Sequence, residues 1–531
     1  MDCTAEQLSY KQTGYFSKII IDYLENNQLL KLFYQHPVSM EGIKSAIHER
    51  EKFSTNRKTL ADELKKQYNH VDSNHKVNTN IEKLLFENTF TITTAHQPAI
   101  FTGTLYFIYK ILHVIKIAAH LSTEMPQYNF VPVYYMGSED ADLEELSKIF
   151  LNGEKIVWDT KQTGAVGRMN TKGLEKIIAR IEGEFSVLPF GKELVQLLKN
   201  CYLNCSDIQS ATFKLVHALF ADYGLIVVIP DNPALKAQMV TVFEADLFHQ
   251  TSAGIVENTI HNLSVHYKVQ ANPREINLFY LKDNIRNRIE KKKDRFIVAG
   301  TDISFSEKEM REELQRYPDR FSPNVILRGP LQETILPNIV FVGGGGEEAY
   351  WLELKDLFRH YGIPYPVLIL RNSFLIIEKK WKEKFNHLHL TIKDIFKPEE
   401  ELLNGLVKNK SQNQVTLEKE LEELSDYYEK LKFVSLQIDN SLAEHTQALK
   451  AKAAKLVKEL EKKLLRAEKR KFHDQQNQIH ALKSALFPLH NLQERIDNFI
   501  PYYAKWGKEF IHILYKYSLT LEQKFVVLQE N

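Results

Sequence analysis

Cysteine is scarce in this chain of 531 residues: only Cys3, Cys201 and Cys205 occur. Three cysteines cannot build a disulfide framework, which fits a reducing compartment. The pair Cys201 and Cys205 also lacks the second ligand pair that a zinc site needs. Net charge is missing as well. Sixty-nine lysines and arginines stand against 68 aspartates and glutamates, a formal balance of +1 that gives no reason to expect a nucleic-acid partner. No uncharged apolar run reaches ~18 residues, so no transmembrane helix is expected. The opening MDCTAEQLSYKQTGYFSK has no apolar core of the signal-peptide kind. These absences predict a soluble, cytoplasmic protein with no membrane partner. Two familiar nucleotide signatures are absent too. The glycine run Gly343–Gly346 does not complete G-x-G-x-x-G, because Glu348 stands where the last glycine belongs, and no Gly-Lys-Ser/Thr follows. Standard NAD binding and standard P-loop ATP binding are thereby disfavoured.

What is present points to an α/β protein of two or three domains. Thr91–Ala95 is β-rich and leads into a polar turn holding His96, Gln97, Thr102 and Gly103. An apolar helical pattern follows, with Leu105, Ile108, Leu112 and Ile115. Further strands are predicted at 130–136, 225–229, 338–342 and 366–370. In a sheet of this kind, turns after strands face the ligand edge. Asp140 and Asp142 follow the second strand. They can hold an ammonium, bind Mg²⁺ through water or act as a base, and each can equally cap the next helix. Asp231 sits at another strand end with the same two readings.

The segment 322–373 is the richest. Asn324 and Arg328 open it. Gly343, Gly344, Gly345 and Gly346 would let a ligand approach the backbone closely, and Glu347 adjoins the following helix, read as EEAYWLELKDLFRHYG. Arg371, Asn372 and Ser373 end the last strand. An arginine there is costly to bury without an anion, so Arg328 and Arg371 are candidate clamps for carboxylate or phosphate.

Four regions result. Residues 1–90 read as a helical segment packing on the core. Residues 91–400 form the core, with insertions at about 149–222 and 240–320. Residues 411–487 carry leucines at spacings of three and four, including Leu417, Leu421, Leu449, Leu456, Leu460 and Leu464, with almost no proline or glycine. That is a coiled-coil pattern. A break at 435–441 allows a single-chain hairpin, and a dimer contact also fits and is favoured. Residues 488–531 return to the core, with an aromatic cluster of Tyr502, Tyr503 and Trp506 that can pack there or stack on a base.

The runs FTGTLYFIYK, VPVYYMGSEDADLEE, SPNVILRGPLQETILPN, GGGGEEAYWLELK, LILRNS and LQERIDNFIPYY, in this order, resemble the bacillithiol-biosynthesis cysteine-adding enzyme family, BshC. The resemblance spans nearly the whole chain. It implies a Rossmann-like core with connecting insertions, related to class I aminoacyl-tRNA synthetases and nucleotidyltransferases, and a coiled coil used for homodimerisation. The implied reaction joins L-cysteine to glucosaminyl malate in the last step of bacillithiol formation. Two departures stand out. The family's Gly-Gln-Gln is Ala95-His96-Gln97 here, and the synthetases' His-x-Gly-His turn retains only His96. The lysine-rich stretch 379–384 is a poor echo of their mobile lysine loop.

Amide formation from a free carboxylate is uphill, so activation by ATP is expected, with Mg²⁺ possible. On this reading His96, Asp140 and Asp142 are catalytic candidates. Gln97, Thr102, Gly103, Asn324, Arg328, Gly343–Gly346, Glu347 and Arg371–Ser373 bind substrate or nucleotide. Tyr502, Tyr503 and Trp506 mark a possible second nucleotide site. The rival reading is a nucleotide- or metabolite-binding assembly protein, dimerised by its coiled coil and without turnover.

Overall fold

Runs of β-branched and aromatic residues form the central sheet of the computed structural model, which describes residues 2–531. The strands are β1 (Thr89–His96), β2 (Asn129–Met136), β3 (Ile226–Val228), β4 (Asn338–Gly343) and β5 (Val367–Leu370). They lie in the order β5-β4-β1-β2-β3 and all run parallel. This is the doubly wound order, and the chain reverses direction across the sheet between β1 and β4. Register is continuous along β1 and β2, from Thr89 opposite Asn129 to His96 opposite Met136. Both faces are covered, so the strands are buried almost throughout. The five strands fall where strands are predicted, within a residue or two at each end.

Helix α1 (Tyr106–Glu124) covers the sheet with Phe107, Ile108, Ile111 and Leu112. The turn before it is tight. Phe101, Thr102 and Gly103 all have positive φ (48°, 67° and 65°), costly for the first two. Asn498 holds that turn by donating to the carbonyls of Phe101 and Gly103. Helix α2 (Val325–Ile335) precedes β4, and α3 (Gly345–Trp351) follows it. The single helix expected after the glycines is in fact two, since a second helix, Lys355–Tyr361, starts only after a break at 352–354.

The chain divides into two compact units. One contains residues 2–376 and 491–529, the other 377–490. Within the first, residues 149–222 supply a short hairpin and three helices, Leu174–Phe185, Gly191–Tyr202 and Ile208–Phe220. Residues 278–323 contribute an antiparallel five-stranded sheet, which falls largely in the second expected insertion. The N-terminal stretch is not purely helical. Cys3–Leu8 is a strand, sharing a three-stranded sheet with Ser373–Ile377 and Phe525–Glu530.

The second unit is helical and starts earlier than the coiled-coil pattern, with Lys379–His387 and Glu399–Lys410. Its long helices, Glu418–Ile438 and Ser441–Lys469, fold back on each other as a hairpin. Ser435 Oγ lies 3.0 Å from Thr446 Oγ1, and Lys450 Nζ donates to Glu429 at 2.7 Å. Leu449, Leu456 and Leu460 remain exposed along the second helix.

Candidate functional site

A cavity of about 610 Å³ opens at the C-terminal ends of β1, β2, β4 and β5. Crevices of this kind form at the switch point of a doubly wound sheet, because the helices on either side of the reversal diverge there. Each strand end delivers a different chemistry to it: His96 and Gln97 after β1, Ser138–Asp140 after β2, Gly344–Glu347 after β4 and Arg371 after β5.

One pole is cationic. Arg371 and Arg328 are both in the wall, and so is Lys110, reaching from α1. Lys110 Nζ donates to the Ala95 carbonyl at 2.9 Å and pairs with Glu347. Arg328 donates to the Tyr350 hydroxyl. Arg371 lies 4.9 Å from the Tyr106 ring centroid, a cation–π contact. Its charge is already matched, since Nη2 donates to the buried Glu494 at 2.7 Å. A clamp waiting without a counter-ion, as expected from the strand end alone, is therefore corrected: only the Arg371 Nε–H lacks a partner. His96 sits among these cations with its ring edge-on to Tyr106, centroids 5.3 Å apart. Burial, then Lys110, Arg371 and Arg328, push the imidazole well below its usual pKa and keep it neutral.

The other pole is acidic. Asp140 accepts from Gln97 Nε2 at 3.0 Å and from the Ala141 N–H at 2.8 Å, and it lies 4.0 Å from Arg286. Arg286 comes from the antiparallel sheet, stacks over Phe279 at 4.1 Å and donates to Ser322. Glu139 is buried and paired with the fully buried Lys236. Desolvation nevertheless raises its pKa. The Ser138 hydroxyl faces the same space, buried and without a partner.

The structure brings His96, Gln97, Asp140, Asn324, Arg328, Gly344, Gly345, Gly346, Glu347 and Arg371 into this one wall. It places the remaining candidates elsewhere. Asp142 caps the helix Leu143–Leu146, accepting from the Glu145 N–H at 3.1 Å, and lines an adjacent hollow of about 390 Å³. Thr102 is buried in the left-handed turn, and Gly103 lines that same smaller hollow. Gly343 is still within β4, its N–H donating to Glu348 at 3.0 Å. Asn372 donates to His113 and to the Leu519 carbonyl, and Ser373 to Glu494, so both face the protein interior. Tyr502, Tyr503 and Trp506 do not form a base-stacking platform. Tyr502 stacks on Phe510 and bonds Asp497, Tyr503 bonds Glu193 at 2.8 Å, and all three are buried in helix packing.

Lys110 and Arg286 escaped the reading of the sequence. The signal for Lys110 was a single cation in the otherwise apolar LYFIYKILHVI. Arg286 lies in a charged strand, IRNRIEKK, where nothing separates it from its neighbours.

The model for the bacillithiol biosynthesis BshC N-terminal Rossmann-like domain matches residues 1–372, and that for the BshC C-terminal coiled-coil domain matches 374–530. The chain is similar to proteins named "Putative cysteine ligase BshC". That of Flavobacterium johnsoniae is 39% identical over 98% of this chain and 99% of its own. That of Cytophaga hutchinsonii is 38% identical over 93% and 92%. That of Bacillus cytotoxicus is 24% identical over 94% and 96%. With both family models matched end to end, the chain belongs to the BshC family of bacillithiol biosynthesis.

Proposed function

We propose that this chain is a ligase that joins the carboxyl group of L-cysteine to the amine of glucosaminyl malate, forming an amide in the last step of bacillithiol synthesis. The observation that carries the reading is the two-pole cavity: Lys110, Arg328 and Arg371 on one side, Asp140 on the other, with the neutral His96 among the cations. An amide-forming site must hold anionic groups and an amine together, and it must take a proton from the ammonium before nitrogen can attack. Arg328 and Lys110 are suited to carboxylate or phosphate. Asp140, fixed by Gln97, is suited to the ammonium. Asp140 is also the group placed to take the proton that leaves it, whereas His96, held neutral by burial and three cations, is suited to hydrogen-bond a substrate. The names carried by the relatives support a ligase.

ATP is the proposed source of activation. When bound, it would supply the group that turns the carboxylate oxygen into a leaving group. The site fits its phosphates, because Arg371 Nε is an unsatisfied buried donor and Gly344 beside it carries no side chain. Mg²⁺ would accompany those phosphates and keep several of its waters. The protein is proposed to work in the cytoplasm. No helix among the described residues is long and apolar enough to cross a membrane.

The test is direct. Purified protein is incubated with L-cysteine and glucosaminyl malate, with and without ATP, and the products are weighed by mass spectrometry. The condensed thiol should form only with ATP. No product under either condition would overturn the ligase reading. The exposed leucines of the helical hairpin favour a second reading, in which the chain is an assembly protein that binds such metabolites without turning them over.

A further inference from the structure

A lysine in the middle of an apolar helix needs a reason. Lys110 is 2% exposed, and the residues on either side, Tyr109 and Ile111, are fully buried. A purely structural ion pair in this protein looks different. Arg50 and Glu333 are sealed from solvent at both ends, at 1% and 0% exposure. The partner of Lys110 is Glu347, whose side chain is 23% exposed and lies on the cavity wall. The same Glu347 oxygen, Oε2, also accepts the Gly344 N–H at 2.8 Å. One carboxylate oxygen thus receives two donors at the floor of the cavity. A third donor, the Arg371 Nε–H, is buried beside Gly344 with no acceptor at all. A side chain at Gly344 would stand 3.4 Å from Glu347 Oε2 and 3.7 Å from Arg371 Nε, which locates the three groups around one point.

We propose that Lys110 Nζ, the Gly344 N–H and the Arg371 Nε–H form a seat for an oxyanion, that Glu347 fills it in the free chain, and that an incoming carboxylate or phosphoryl group takes its place. Glu347 is then an exchangeable plug. It keeps Lys110 charged and compensated while the seat waits, and on release it can turn outward, because its side chain is already partly in solvent. The unsatisfied Arg371 Nε–H gains its acceptor when the ligand brings a second oxygen, which the single Oε2 of Glu347 does not provide. The proposal deepens the ligase reading and rests on it for the role of the anion.

Binding to the full chain decides the matter without any turnover. Isothermal titration calorimetry is run with inorganic phosphate and with L-malate on the wild type, Glu347→Gln and Lys110→Met. Glu347→Gln should bind one of the anions about tenfold more tightly than the wild type, because a neutral amide competes for the seat far less well than a carboxylate that holds it roughly nine-tenths of the time. Lys110→Met should bind about 10- to 100-fold more weakly than the wild type, the loss of one charge-assisted hydrogen bond. A response to phosphate alone assigns the seat to a nucleotide phosphate, and a response to malate alone assigns it to a substrate carboxylate. Equal affinity in Glu347→Gln and the wild type overturns the proposal, as does undiminished binding in a folded Lys110→Met. Should Lys110→Met lose its far-ultraviolet circular dichroism, Glu347→Gln decides alone. Since the readout is binding, the seat can stand with no condensed product formed, and product can form with the seat disproved.

Discussion

Arg371 Nη2 donates to Glu494 Oε1 at 2.7 Å, joining the end of β5 to a residue 123 positions later in the chain. Glu494 is fully buried and also accepts from Ser373 Oγ at 3.2 Å and from the Phe374 N–H at 3.3 Å. Removing one member of such a pair leaves the other charged in a poor solvent, at a cost of about 3–5 kcal/mol. Glu494→Gln should therefore lower stability by about that amount, seen as a fall in the urea midpoint at unchanged slope. A midpoint equal to wild type would show that the pair contributes nothing to the fold.

Asp140 makes a different case. It is partly exposed, and Asp140→Asn keeps the shape and can keep the bond to Gln97 while removing the charge. The melting temperature should move little, whereas condensation should slow by about 100-fold or more if the carboxylate positions the amine. Unchanged turnover would remove Asp140 from the mechanism.

His113 ties α1 to two distant segments. Its Nε2–H donates to the Thr520 carbonyl at 2.9 Å and its Nδ1 accepts from the Asn372 N–H at 3.1 Å, which requires the neutral ring. Burial lowers its pKa from 6.5 to about 4. The unfolded chain binds this proton first as pH falls. The stability from His113 is therefore complete above about pH 6.5, declines between there and about 4, and is gone below. At about 1.4 kcal/mol per pH unit, the loss is roughly 3 kcal/mol. Measured by denaturant unfolding, the advantage of wild type over His113→Gln should shrink by that amount between pH 7 and pH 4. A constant difference would contradict the assignment.

Along the helical hairpin, Leu456 and Leu460 are 60% and 51% exposed, one turn apart on Ser441–Lys469. A self-associating chain would cover them. Leu456→Glu combined with Leu460→Glu should convert a sedimenting dimer to monomer without loss of helical circular dichroism, since neither side chain is in the hairpin's interior. A wild type that sediments as a monomer at all concentrations would dispose of the dimer.

Most of the central sheet could be read from local pattern, because its strands are runs of β-branched and aromatic residues, threonine-rich in β1 and apolar in the others, and each ends in recognisable turn chemistry. The positions of His96, Asp140, Gly344 and Arg371 at one edge follow from that alone. The pairing of Arg371 with Glu494 could not be read, since it depends on a return of the chain after more than a hundred residues. Lys110 was hidden because a helical apolar pattern absorbs one lysine without visible change. Asp142 and Asp140 look alike in sequence, two acids after one strand. Only the backbone path shows that one caps a helix and the other meets Gln97. The aromatic trio at 502–506 suggested a stacking surface, but amphipathic helix packing uses the same residues, and that is what they do.

The strand Cys3–Leu8 shares its sheet with Phe525–Glu530. A ribosome therefore releases the N-terminal strand hundreds of residues before its neighbour exists, and the helical hairpin must be synthesised in between. The sheet can close only once Phe525–Glu530 has been made, so a chain interrupted before that strand would carry an unpaired edge for chaperones or proteases to find.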